Sequence, residues 1–149
     1  MDIPPEVRIK GGIKTGTVYY FKEESHKQDA PWHHFVVINS HPASDRVLIL
    51  VCASSQVDKI KKNRKNLPPE TLVEVSHSDY TDFVLPTIFD CNTVYEKTIG
   101  YIIKKLQEGK LGAYNLDMDL KIVEKLKIGV VASPLVRREL KKVLRQKSA

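Results

Sequence analysis

The chain has 149 residues, a formal charge of +6 and a pI near 9.3. That length fits one domain, 1–149, able to bury a core of its own, and 42% hydrophobic against 28% charged residues excludes a disordered or membrane-embedded composition. The basic balance points to a polyanion as partner, but from Lys121 onward nine basic residues face two acidic ones, so the excess is confined to the C-terminal part.

The first residues, MDIPPEVRIKGG, hold neither a basic leader nor an apolar run of signal-peptide length. No stretch reaches the roughly 18 apolar residues a bilayer span needs, so the expectation is a cytoplasmic protein with no membrane contact. Residues 1–14, with two prolines and two glycines, read as a segment lying over the surface. The β-branched and aromatic run 16–22 (GTVYYFK) reads as the first strand. Residues 23–31 (EESHKQDAP) are polar throughout and form a loop that runs into Trp32 and flanks or covers the segment after it.

The centre of the chain is 32–55 (WHHFVVINSHPASDRVLILVCASS). Two apolar strands, 33–40 and 46–54, are joined by a turn at 41–45 that holds Pro, Ser and Asp. Pairing outward from that turn brings His33 and His34 opposite Cys52 to Ser54, so two imidazoles and a pair of hydroxyls gather at the open end of an apolar hairpin.

Residues 56–69 (QVDKIKKNRKNLPP) carry five basic residues between Lys59 and Lys65 but few apolar anchors, and read as a solvated loop or short basic turn ended by Pro68 and Pro69. The alternation in 71–75 (TLVEV) is that of a half-buried strand. After a polar connector at 76–82, residues 83–94 (FVLPTIFDCNTV) read as one or two strands broken near Pro86.

Beyond Tyr95 the period becomes helical. Ile99, Ile102 and Leu106 form a helical turn or two stopped by Gly109. Leu116, Leu120, Val123 and Leu126 continue the pattern, with Asn115 or Asp117 as N-cap and Gly129 as stop. Ser133 and Pro134 open a last helix that turns Leu135, Leu140, Val143 and Leu144 inward. Strands first and helices afterwards define an α+β protein: a small, strongly bent antiparallel sheet or barrel over about 14–98 and a helical extension over about 99–149.

Adjacent strand residues face opposite ways, so only one of His33 and His34 can line a given pocket. One reading has a histidine hydrogen-bonded in the interior and the other in solvent. The other uses an ordinary pKa near 6.5, which suits proton exchange at neutral pH. Ser54 and Ser55 alone are strand-end residues of the kind that bond to backbone; their interest lies in what they face. Cys52 and Cys91, in apolar runs, read as buried thiols of a reducing compartment. A zinc site from His33, His34, Cys52 and Cys91 is disfavoured because the histidines diverge and no CxxC or HxxxH spacing occurs. There is no GxSxG elbow, and no phosphate-binding glycine loop.

In this order GTVYYF, HHFVVINS, LVCASS and PTIFDCNTVYEKTI resemble the motifs of the PemK/MazF-type toxins, small endoribonucleases of toxin–antitoxin modules, over about Gly16 to Thr98. The resemblance implies an SH3-like β-barrel, usually a homodimer, that cuts single-stranded RNA with no metal or cofactor and is paired with a small acidic antitoxin. By position His33 falls on the family's arginine, Ser54 on its threonine, and His34 replaces a proline. This is a departure, because arginine is permanently charged whereas histidine exchanges protons. The expected catalytic set is His33, His34, Ser54 and Ser55, with a histidine as general base or acid and the serines holding the phosphate. Lys59, Lys61, Lys62 and Arg64 are expected to hold flanking phosphates of RNA. The alternative is a non-catalytic SH3-like module binding a protein partner or nucleic acid.

Overall fold

A computed structural model describes residues 13–42, 47–114 and 116–145. The surface segment over 1–12, most of the turn at 43–45, the strand start at Arg46 and the N-cap choice Asn115 lie outside the described residues.

Six strands, β1 (Val18–Phe21), β2 (His33–Val37), β3 (Val47–Ser54), β4 (Leu72–Val75), β5 (Thr87–Thr98) and β6 (Leu111–Ala113), form one sheet in the order β4-β5-β3-β2-β1-β6. Every pairing is antiparallel. The edge strands β4 and β6 do not pair with each other, so among the described residues the sheet is open and the barrel closure expected from the sequence is not found. A register shift between Val51 and Ala53, where β3 meets β5, breaks the regular ladder next to the candidate site.

The central strands are apolar on both faces because both faces are covered. Val18, Val36, Ile38, Ile49 and Val51 face one cluster with Val123, Leu126 and Val130 of α3 (Leu120–Ala132) and Leu140 and Leu144 of α4 (Arg138–Leu144). Phe21, Phe35, Val37, Leu48 and Leu50 face the other, closed by Ile102 of α2 (Ile99–Gln107). Each of these buried side chains contributes about 1.5–3 kcal/mol.

The helices depart from the sequence reading at several points. α1 (Val57–Asn63) is a helix where a loop or basic turn is expected, and it buries no residue. Polar links hold it to the sheet instead: Arg64 Nε bonds Asp90 of β5 at 2.9 Å and Lys61 pairs with Glu74 of β4 at 2.9 Å. α2 is capped by Thr98, whose hydroxyl accepts from Tyr101 N at 3.1 Å, and ends before Gly109 at φ +70°, as expected.

α3 starts later than its apolar spacing predicts. Its N-cap is Asp119, accepting from Lys121 N at 2.7 Å, while Leu116 and Leu120 are exposed. It also runs through Gly129 instead of stopping there. A β-carbon at Gly129 would stand 2.6 Å from the Glu70 carbonyl oxygen and 2.9 Å from Cys91 Sγ, so glycine is there for close packing and not for a turn.

Ser133 does not cap the last helix either. It ends α3, fully buried, and donates its hydroxyl to Asn92 Oδ1 at 2.7 Å, while Asn92 Nδ2 donates to Thr71 Oγ1 at 3.0 Å. α4 begins five residues later, and Leu135 is exposed instead of turned inward.

Candidate functional site

The β2–β3 register pairs Phe35 with Cys52, so His33 and His34 of β2 lie at the same end of the hairpin as Ala53 and Ser54 of β3. On the other flank β1 pairs Tyr20 with His34 and Phe21 with His33. The two histidines therefore share one strand end and point to opposite faces, as period-2 geometry requires.

His34 lies in an aromatic nest. Its ring stacks on Tyr20 with centroids 4.7 Å apart, meets Phe83 edge-on at 5.0 Å, and its Nε2 is 2.9 Å from the Tyr114 hydroxyl. Burial holds its pKa below the ordinary histidine value and the His33 charge adds to that, against an opposing pull from Asp82.

His33 faces His26 from the polar loop, ring edge to ring face, centroids 5.2 Å apart. His26 Nε2 is 2.9 Å from the Tyr95 hydroxyl, and Nδ1 of both histidines is buried without a hydrogen-bond partner. Burial lowers the pKa of His33, the nearby His26 charge lowers it further, and the Pro31 backbone works in the other direction. At neutral pH this imidazole is held in its basic form.

Two clefts flank this strand end. The first, about 320 Å³, is lined by Tyr20, Trp32, His34, Asp82 and Phe83, together with Ser55. The second, about 480 Å³, is lined by His26, Cys52, Lys59, Asp90 and Tyr95. His33 and Ser54 line both, so the two histidines share the first cleft although they leave opposite faces of the strand, and the expectation that only one of them could line a given pocket does not hold. His33, His34, Ser54 and Ser55 thus line a common surface cleft. Ser54 Oγ accepts from Gln56 N at 3.1 Å, which holds the side chain at the strand end and leaves its O–H to donate.

The basic residues divide into two kinds. Arg64 is half-buried and committed to Asp90 and Thr93, and Lys61 is paired with Glu74. Lys59 and Lys62 are exposed, and Lys59 lines the second cleft. The thiols of Cys52 and Cys91 are free and burial pushes both up to about 12. Among the described residues no three His, Cys, Asp or Glu side chains converge as a metal-ligand group, so His33, His34, Cys52 and Cys91 do not form one.

His26, Tyr20, Tyr95, Asp82 and Phe83 join the site without a motif to announce them. The one signal is positional: the polar loop runs directly into Trp32. Glu23 of that loop is buried and paired with Lys97 at 2.7 Å, and Glu24 is bridged to Lys105 and Tyr101. Burial opposes the charge on Glu24, but the hydrogen bonds from Lys105 and Tyr101 outweigh it and hold the carboxyl at about 2. These bonds pin the loop that carries His26.

No protein-family model and no curated protein matches this chain.

Proposed function

We propose that this protein is a metal-independent endoribonuclease of the toxin type, cutting single-stranded RNA at the open end of its central hairpin. The reading keeps the SH3-like resemblance as an open form of that architecture. The observation that carries it is the second cleft, where His33, Ser54 and Lys59 face one space. A neutral imidazole, a hydroxyl donor and a cation are what a 2′-hydroxyl attack on the adjacent phosphate requires.

His33 takes the proton of the 2′-hydroxyl. Its Nδ1 is buried, so Nε2 is the nitrogen that exchanges protons with substrate. Ser54 donates to a phosphate oxygen as negative charge grows there, and Ser55 stands next to it. Lys59 and Lys62 hold flanking phosphates, while Lys61 and Arg64 serve chiefly to seat α1 on the sheet. The products are a cyclic phosphate and a 5′-hydroxyl, whose oxygen takes its proton from water. His34, engaged by Tyr114, shapes the first cleft instead of moving protons. A small acidic antitoxin and a second copy of the chain are the protein partners this reading brings with it.

A second reading, a non-catalytic module that binds a protein partner or nucleic acid, draws support from exposed Trp32, Val84 and Leu85 around the first cleft. Incubating the purified chain with single-stranded RNA in EDTA separates the two. Cyclic-phosphate ends that require His33 support the nuclease; intact RNA, with the chain free of any inhibitor, supports the module.

A further inference from the structure

We propose that the first cleft is a slot for a single nucleobase that carries an exocyclic amino group, and that it sets which base the protein accepts next to the scissile phosphate. This inference rests on the RNA reading above and adds to it the identity of a substrate contact.

The cleft is chemically unlike its neighbour. Aromatic rings of Tyr20, Trp32, His34 and Phe83 line it, and Tyr20 meets Trp32 edge-on with centroids 5.5 Å apart. No lysine or arginine is among its lining residues, whereas an exposed carboxylate, Asp82, stands at its edge. A phosphate entering here would meet a negative charge and no cation. A base would meet ring faces and edges, against which every nucleobase stacks favourably. At about 320 Å³ the space is at the small end of ligand pockets, fit for one ring system and not for a run of them.

Asp82 supplies the discrimination. An ionised carboxylate only accepts hydrogen bonds, so it favours the amino groups of adenine, cytosine and guanine and repels the carbonyl oxygens of uracil. His33 and Ser54 border both clefts, so a phosphate held in the second cleft puts a neighbouring base within reach of the first.

Trp32 is the only tryptophan of the chain and lines both this slot and a neighbouring lysine-lined cleft, so its emission reports on a ligand in either and the Asp82→Asn comparison assigns the change to the slot. The experiment titrates the full chain with the four nucleoside 3′-monophosphates while following that emission, then repeats it with Asp82→Asn. The expected result is quenching by the adenine, cytosine and guanine nucleotides at concentrations about tenfold or more below uridine 3′-monophosphate, with the gap closing in Asp82→Asn. Equal response to all four, an unchanged gap in Asp82→Asn, or quenching by an apolar peptide but by no nucleotide would each overturn the slot. Selective quenching without RNA cleavage keeps the slot and removes the nuclease. Cleavage whose base preference is the same in wild type and Asp82→Asn keeps the nuclease and removes the slot.

Discussion

The ring of His26 stands edge-on to that of His33, centroids 5.2 Å apart, with Nδ1 of both buried and unbonded. The charge of His26 lowers the pKa of His33, in addition to the effect of burial. This couples a residue of the polar loop to a residue of the central hairpin.

The coupling has a measurable consequence. In His26→Gln the like charge is lost, so the His33 pKa should rise toward the ordinary value near 6.5. Imidazole NMR titration reads this directly. An unchanged or lower His33 midpoint would show that burial alone sets it.

Activity and stability should both fade on the acidic side. A base must be neutral, so cleavage should fall with a midpoint below about 6.5. For stability, His33 and His34 have folded pKa values below their unfolded ones, so between those values the unfolded chain binds more protons. Their contribution is complete above about 6.5 and is lost as pH falls through the folded values. Denaturant unfolding across this range, compared with a His33→Gln, His34→Gln double variant, isolates the effect.

Replacement of the site residues should divide them by role. His33→Ala should slow cleavage about a hundredfold or more, and Ser54→Ala by a similar order with RNA affinity nearly kept. His34→Gln should leave the rate within about tenfold, since His34 is not assigned a proton. Single-turnover cleavage beside filter binding makes the comparison. A larger loss in His34→Gln than in His33→Ala would reverse the assignment.

The basic helix should divide too. Lys59→Ala should weaken RNA binding and reduce its salt slope by about one. Arg64→Ala should instead destabilise the fold by about 1–2 kcal/mol, because Asp90 is left half-buried without its partner. Thermal unfolding and salt-dependent binding tell the two apart.

A methyl at Gly129 should be costly. Gly129→Ala forces α3 off backbone at Glu70 and side chain at Cys91, and about 1–3 kcal/mol of stability should go with it. Equilibrium unfolding is the test.

Gly129 also shows where reading by periodicity stops. A glycine after a helical repeat has the same local pattern whether it ends a helix or lets one approach a strand, and only the partner surface distinguishes the two. Ser133 repeats the lesson. Ser-Pro has the local form of a helix start, and the Ser133 hydroxyl does accept from Leu135 N at 3.1 Å, but it donates to the buried amide of Asn92, distant in sequence, and the turn does not run on into the last helix. Helix α1 escapes a search for periodicity because its anchors are salt links to β4 and β5, which leave no apolar spacing behind.

The central hairpin, its α+β setting and the divergence of His33 from His34 are legible in the bare chain, because strand alternation and turn chemistry are local properties. That Ser54 and the histidines lie at the same end of the hairpin is legible too, since antiparallel strands of known sequence bring their far ends together. Other features exist only once the chain is folded: which cleft each histidine enters, the facing of His26 and His33, the commitment of Arg64 to Asp90, and the convergence of rings from β1, β2 and the loop before β5 on one space. Such juxtapositions join residues dozens of positions apart. They arise from the order of strands in the sheet and from what packs on its faces, which no short-range pattern encodes.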